Sequence, residues 1–120
     1  MKPRIVVFSI SALAGTLREI GRDYADSANI ELVPKAYEEA LSYARNRYYT
    51  DTADVFIAAG SNGAFLQNQL EAPLVIIRTD GFDVMQALGS ARKTSAAVGL
   101  VSYEHAFDEL EQFARAFDIP

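Results

Sequence analysis

The sequence predicts a three-layer α/β/α domain built on a five-stranded parallel sheet with the flavodoxin-like order 2-1-3-4-5. Three observations lead there. Short apolar runs of strand length, such as Ile5-Val6-Val7-Phe8, alternate with segments whose apolar residues recur at helical spacing. These runs are continuously apolar, as in parallel strands covered on both faces. Right-handed crossovers between successive strands then leave few strand orders.

Each element is justified in turn. Strand one spans Arg4–Ile10, and Leu13, Leu17, Ile20 and Tyr24 place an amphipathic helix at about Ala12 to Ala25. Strand two is the shorter run Ile30–Pro34. A helix from about Tyr37 to Tyr48 follows, with Ala40, Leu41, Ala44 and Tyr48 on its inner face. Strand three is Asp54–Ala59, and Ala64–Leu70 reads as the third helix. Pro73 opens strand four, Leu74–Arg78, where a missing N–H does least harm. After Thr79-Asp80-Gly81, the residues Val84, Leu88 and Ala91 mark the buried stripe of helix four, which Asp80 or Asp83 is placed to cap. Ala97–Val101 is predicted as strand five. Ala106, Leu110, Phe113 and Phe117 give the last helix a strong apolar side.

Composition narrows the function. The 120 residues make one domain of common size, half of them hydrophobic. Such a chain buries roughly 60% or more of its unfolded surface, enough for a core. The net charge is −5 with scattered basic residues, the reverse of a nucleic-acid binder's basic patch, so no nucleic-acid contact is expected. No cysteine is present, which excludes disulfides, thiolate metal sites and a cysteine nucleophile. No apolar stretch has the length of a membrane span, and Ile5–Phe8 is too short for a signal-peptide core. A cytoplasmic domain is the expectation.

The turn Ser61-Asn62-Gly63 lies between the buried strand Ala53–Gly60 and the helical segment Ala64-Phe65-Leu66. Ligands of open α/β sheets bind outside the carboxyl ends of the strands, where helix N-terminal N–H groups can face an anion. The alternative is a tight turn whose glycines serve backbone freedom alone. With the expected strand order, the switch point falls between strands one and three. Ser9-Ile10-Ser11 meets Gly60–Gly63 there.

Familiar chemistries of the fold are absent. A phospho-receiver needs acidic residues after strand one, an aspartate ending strand three and a lysine after strand five. The chain has Ser9 and Ser11, Ala59-Gly60 and Ser102-Tyr103 instead. The Ser9–Thr16 loop interposes Ala12, Leu13 and Ala14 where a flavodoxin wraps its FMN phosphate. Gly15 alone is no dinucleotide fingerprint, and there is no Walker-type loop. No cofactor, metal or catalytic residue is therefore expected. His105, the single histidine, reads as a surface residue. Asp80, Asp83 and Glu104 fit helix caps, with an acid–base pair or metal site as the alternative.

One family resemblance covers almost the whole chain, from about Ile5 to Phe117. It is carried by Ala58-Ala59-Gly60-Ser61-Asn62-Gly63-Ala64-Phe65-Leu66, by Pro73-Leu74-Val75-Ile76-Ile77, and by Gly81-Phe82-Asp83-Val84-Met85-Gln86-Ala87-Leu88 with Ala91-Arg92-Lys93. Val98-Gly99-Leu100-Val101-Ser102-Tyr103 extends it. The chain resembles the N-terminal sensor domain of propionate-catabolism activators, which are sigma-54-dependent transcription factors. The resemblance implies a non-enzymatic effector-binding domain that precedes an AAA+ ATPase domain and a helix-turn-helix, with 2-methylcitrate as the effector. It also implies a two-lobed sensor with a cleft, of which this chain is expected to be one lobe, as a fragment. Effector binding would relieve inhibition of the ATPase. The expected ligand wall consists of Ser9, Ser11, Ser61, Asn62, Gly63, Thr79 and Tyr103, with Arg78 as a charge partner. Where the family often has Ser-Gly, this chain has Asp80-Gly81, and a carboxylate there repels a carboxylate ligand by about 1 kcal/mol or more at short range. Arg78 offsets this if it grips the ligand through two parallel bonds. The competing expectations are a small enzyme acting on an acidic or phosphorylated metabolite, and a ligand-free module that forms a homo-oligomer through Ala106–Phe117.

Overall fold

A computed structural model describes residues 1–10, 12–78, 81–101 and 115. The chain divides into two compact units, Met1–Arg78 and Thr79–Pro120.

The first unit holds a parallel sheet of four strands, β1 (Arg4–Phe8), β2 (Asn29–Val33), β3 (Val55–Ala59) and β4 (Leu74–Ile77), in the order β2-β1-β3-β4. Three helices connect them: α1 (Leu13–Asp23), α2 (Tyr37–Tyr49) and α3 (Gly60–Gln67). Register follows the alternation of side chains. Val6 pairs with Glu31 and Phe56, so these three share one face of the sheet, while Ile5, Ile30 and Val55 share the other. On the first face Val6, Phe8, Phe56 and Ala58 pack with Ala40, Leu41 and Ala44 of α2 and Leu66 of α3 into the core. Phe8 stacks on Phe56 with ring centroids 6.1 Å apart, and Tyr43 meets Phe8 edge-on at 6.1 Å. On the second face Val7 is buried, but Val75 and Ile77 of β4 are exposed.

α2 suits its dipole, with Glu38 and Glu39 in its first turn and Arg47 in its last. α1 departs from expectation. Its apolar stripe is present in sequence, yet none of its residues is fully buried, and Ile20 is 47% exposed.

The second unit contains α4 (Gly81–Thr94), with Val84 and Leu88 buried as the spacing predicts and Asp83 in its first turn. The fifth strand is a correction. Residues 97–101 form no strand, and the sheet has four strands, not five, among the described residues. A strand exists through its ladder, and this run has no ladder partner among the described residues. The Ala97 N–H instead bonds the Ser95 hydroxyl at 3.3 Å, and Val101 is 99% exposed. Apolar residues alone therefore did not make a strand here, and Gly99 in mid-run weakens one further. The last helix, Ala106–Phe117, lies outside the described residues apart from Arg115, as do Asp80, Glu104 and His105.

Candidate ligand-binding site

α3 begins earlier than the sequence implied. The chain leaves β3 and enters the helix at Gly60 without an intervening loop, so Ser61, Asn62 and Gly63 form its first turn. Two glycines make this possible for different reasons. Gly60 has φ +51°, a left-handed conformation that costs an L-residue about 1–2 kcal/mol. Gly63 is needed for close approach: a Cβ there would stand 2.7 Å from Ile76 Cγ2 and 3.2 Å from the Ala58 carbonyl oxygen. Gly63 thus lets α3 lie against β4, and it is buried.

The turn is tied to the segment after β2. The Tyr37 N–H donates to Asn62 Oδ1 at 2.9 Å, and Asn62 Nδ2 donates to the Lys35 carbonyl at 3.4 Å. Asn62 is 6% exposed, so its amide acts as a staple between the two segments. The Tyr37 hydroxyl lies 2.7 Å from Ser61 Oγ, and the Tyr37 ring meets Phe65 edge-on at 5.5 Å. Tyr37 itself has φ +51°, sparsely populated for a bulky residue, and these contacts hold it there.

Ser9 follows β1 and is 2% exposed, with its N–H donating to the Val33 carbonyl at 3.0 Å. The pairing Val7 with Ile57, continued by two residues, sets Ser9 beside Ala59. The carboxyl ends of β1 and β3 therefore bring Ser9 next to the α3 entry, as expected for a switch point. Ala59, at the helix cap, offers no side-chain hydrogen bond to the first-turn N–H groups. Arg78 is exposed just past β4. Ser11, Thr79 and Tyr103 lie outside the described residues. Sequence reasoning missed Lys35 and Tyr37. A tyrosine with positive φ leaves no mark in the sequence.

The strongest charge pairing is at the opposite end of the strands. Arg4 reaches Asp54 through its backbone N–H at 2.7 Å and through its guanidinium at 2.8 and 3.0 Å, and it also bonds Asp51 Oδ1 at 2.9 Å and the Asp51 carbonyl. Asp54 is accordingly held at about 2, first by the Arg4 guanidinium and then by the Arg4 N–H. Glu31 is also lowered, by the Arg47 guanidinium at 2.6 Å and then the Tyr43 hydroxyl at 2.8 Å. These pairs hold β1 and β2 to the loop before β3 and to α2. Among the described residues no group of three or more carboxylates or histidines is placed to hold a metal ion. No helix among them is long and apolar enough to cross a membrane.

The class defined by this fold and turn is a parallel α/β domain with an open helix N-terminus at its switch point. Residues 24–120 match the family model described as propionate catabolism activator, and the chain belongs to that family, as the N-terminal domain of such an activator. A solved structure described as an NtrC family transcriptional regulator from Clostridium acetobutylicum shares the fold, with a TM-score of 0.76 at 16% identity. The match covers 99% of this chain and 62% of that one, so the chain spans less than two thirds of that protein's length.

Proposed function

We propose that this domain is the small-molecule sensor of a sigma-54-dependent activator of propionate catabolism, with a carboxylate effector, 2-methylcitrate, bound at the carboxyl ends of β1 and β3. The observation that carries the reading is the Tyr37–Ser61 hydroxyl pair beside the uncapped first turn of α3. A carboxylate seated there would accept from the Ser61 hydroxyl and from α3 N–H groups, where the helix dipole favours negative charge. Arg78 supplies a cation past β4. Ser9 belongs to the proposed wall; Ser11, Thr79 and Tyr103, which the family resemblance adds to it, lie outside the described residues. Asn62 and Gly63 act mainly by position: Asn62 fixes the Tyr37 segment, and Gly63 sets how closely α3 sits on β4.

The role is regulatory, not enzymatic. Effector binding would relieve inhibition of a downstream AAA+ ATPase domain, with a coupling of about 1–3 kcal/mol between the two sites. The family membership and the NtrC-family fold likeness support a partner domain of that kind. A cytoplasmic setting and a possible homo-oligomer belong to the same proposal. The test is calorimetric titration of 2-methylcitrate, with citrate and propionate as controls, into this chain and into a chain long enough to hold both lobes. Ser61→Ala should weaken binding tenfold or more without loss of folding. Unchanged affinity in Ser61→Ala would remove the site from this turn.

A further inference from the structure

A cavity of about 580 Å³ lies beneath α1, within the first unit and beside the β2 edge of the sheet. From the helix it is lined by Leu17 and Gly21, from the turn after it by Ala25, and from the sheet by Ile5, Ile30 and Leu32. The gap accords with an amphipathic α1 that fully buries none of its residues. Gly21 lines the cavity, and a Cβ built on it meets no atom within 4 Å, so there is room for a side chain there.

The polar lining is cationic in a chain whose net charge is −5. Four arginines line the cavity, with one acidic residue, Glu31. Arg4 is taken up by Asp51 and Asp54, and Arg47 by Glu31. Arg18 and Arg22, one helical turn apart on α1, have no hydrogen bond or ion pair from their side chains among the described residues. The cavity pairs apolar walls with several polar groups at a volume within the range of small-molecule sites. Adjacent guanidiniums suit a carboxylate through paired N–H donors.

We infer that this cavity binds an amphiphilic carboxylate, with an aliphatic chain against Leu17, Ile30 and Leu32 and its head group on Arg18 and Arg22. It lies by the β2 edge under α1, away from the α3 turn, and does not depend on the effector site proposed above. The chain carries two carboxylate-binding features in this reading, one selecting a polar acid and the other an apolar one.

The test is a titration of the whole chain with sodium octanoate, followed by backbone amide resonances. Acetate and 1-octanol are the controls, one lacking the chain and the other the charge. The expected result is a saturable shift at Gly21 and Ile30 with octanoate, little at Gly63, and at least tenfold weaker responses to both controls. Arg18→Gln with Arg22→Gln should weaken octanoate at least tenfold, and Gly21→Leu, which fills the gap from a helical position, should abolish the Gly21-site binding. No saturable shift at Gly21 in the wild-type chain would overturn the inference. So would an equal response to 1-octanol, or a double arginine variant that binds as the wild type does.

Discussion

Asn62 shows how a residue legible as important can carry a structural role that its local pattern does not announce. Its place in a Ser-Asn-Gly turn suggested a ligand donor, and its buried amide also bonds Tyr37 and Lys35. Asn62→Ala would remove the two part-buried hydrogen bonds that tie α3 to the segment after β2, and should cost about 1–3 kcal/mol in urea unfolding. Ser61→Ala, at a half-buried hydroxyl, should stay within about 0.5 kcal/mol of wild type in the same measurement. Gly63 carries a second such lesson. Its glycine was visible, but the reason for it, Ile76, lies on another strand, and a local pattern holds no such information. Gly63→Ala forces Ile76 or α3 to shift and should destabilise by about 1–3 kcal/mol. Asp54 belongs to this scale too. Its carboxyl is held at about 2 against an ordinary 3.8, so its contribution is complete above about pH 4 and is lost as pH falls toward 2. Thermal melts between pH 5 and 2 should show a decline that Asp54→Asn flattens, because the variant has no carboxyl to protonate.

At the scale of elements, long periodic patterns and buried apolar runs were readable, and short ambiguous ones were not. β1, β2, β4 and α2 lie within two residues of their expected bounds, because each has a clear period or a punctuating Pro or Gly. α3 was placed late because Gly, Ser and Asn are poor helix formers and read as a turn. Tertiary packing overrode that preference through Gly63 and the Asn62 staple. Residues 97–101 failed in the opposite direction: an apolar run looked like a strand, but only a neighbour makes one. α1 was read correctly as amphipathic, while its looseness over the sheet was invisible because it depends on how the helix lies on the sheet and not on its own periodicity. Gly21→Ala puts a methyl group into open space on a helix, and should stabilise by about 0.5–1 kcal/mol in thermal unfolding followed by circular dichroism.

For the molecule as a whole, the sheet order β2-β1-β3-β4 puts the switch point at the carboxyl ends of β1 and β3. The core beneath fixes those strand ends. Phe56 is fully buried and stacked on Phe8, so Phe56→Ala should cost about 3–5 kcal/mol and weaken any ligand that depends on the ends of β1 and β3. The parallel α/β class and the switch point were legible from the alternation of elements alone. The family was legible from motifs spread along the chain, and residues 24–120 match it. The effector's chemistry was less so, because three of the expected wall residues lie beyond β1 and β4 in segments outside the described residues. Titration calorimetry of 2-methylcitrate against a chain carrying both lobes, with and without Ser61→Ala, tests the sensor site most directly. Saturable binding that weakens at least tenfold in the variant, with citrate and propionate weaker, is the predicted result. Binding that Ser61→Ala leaves unchanged, or no binding to the wild-type chain at all, would contradict it.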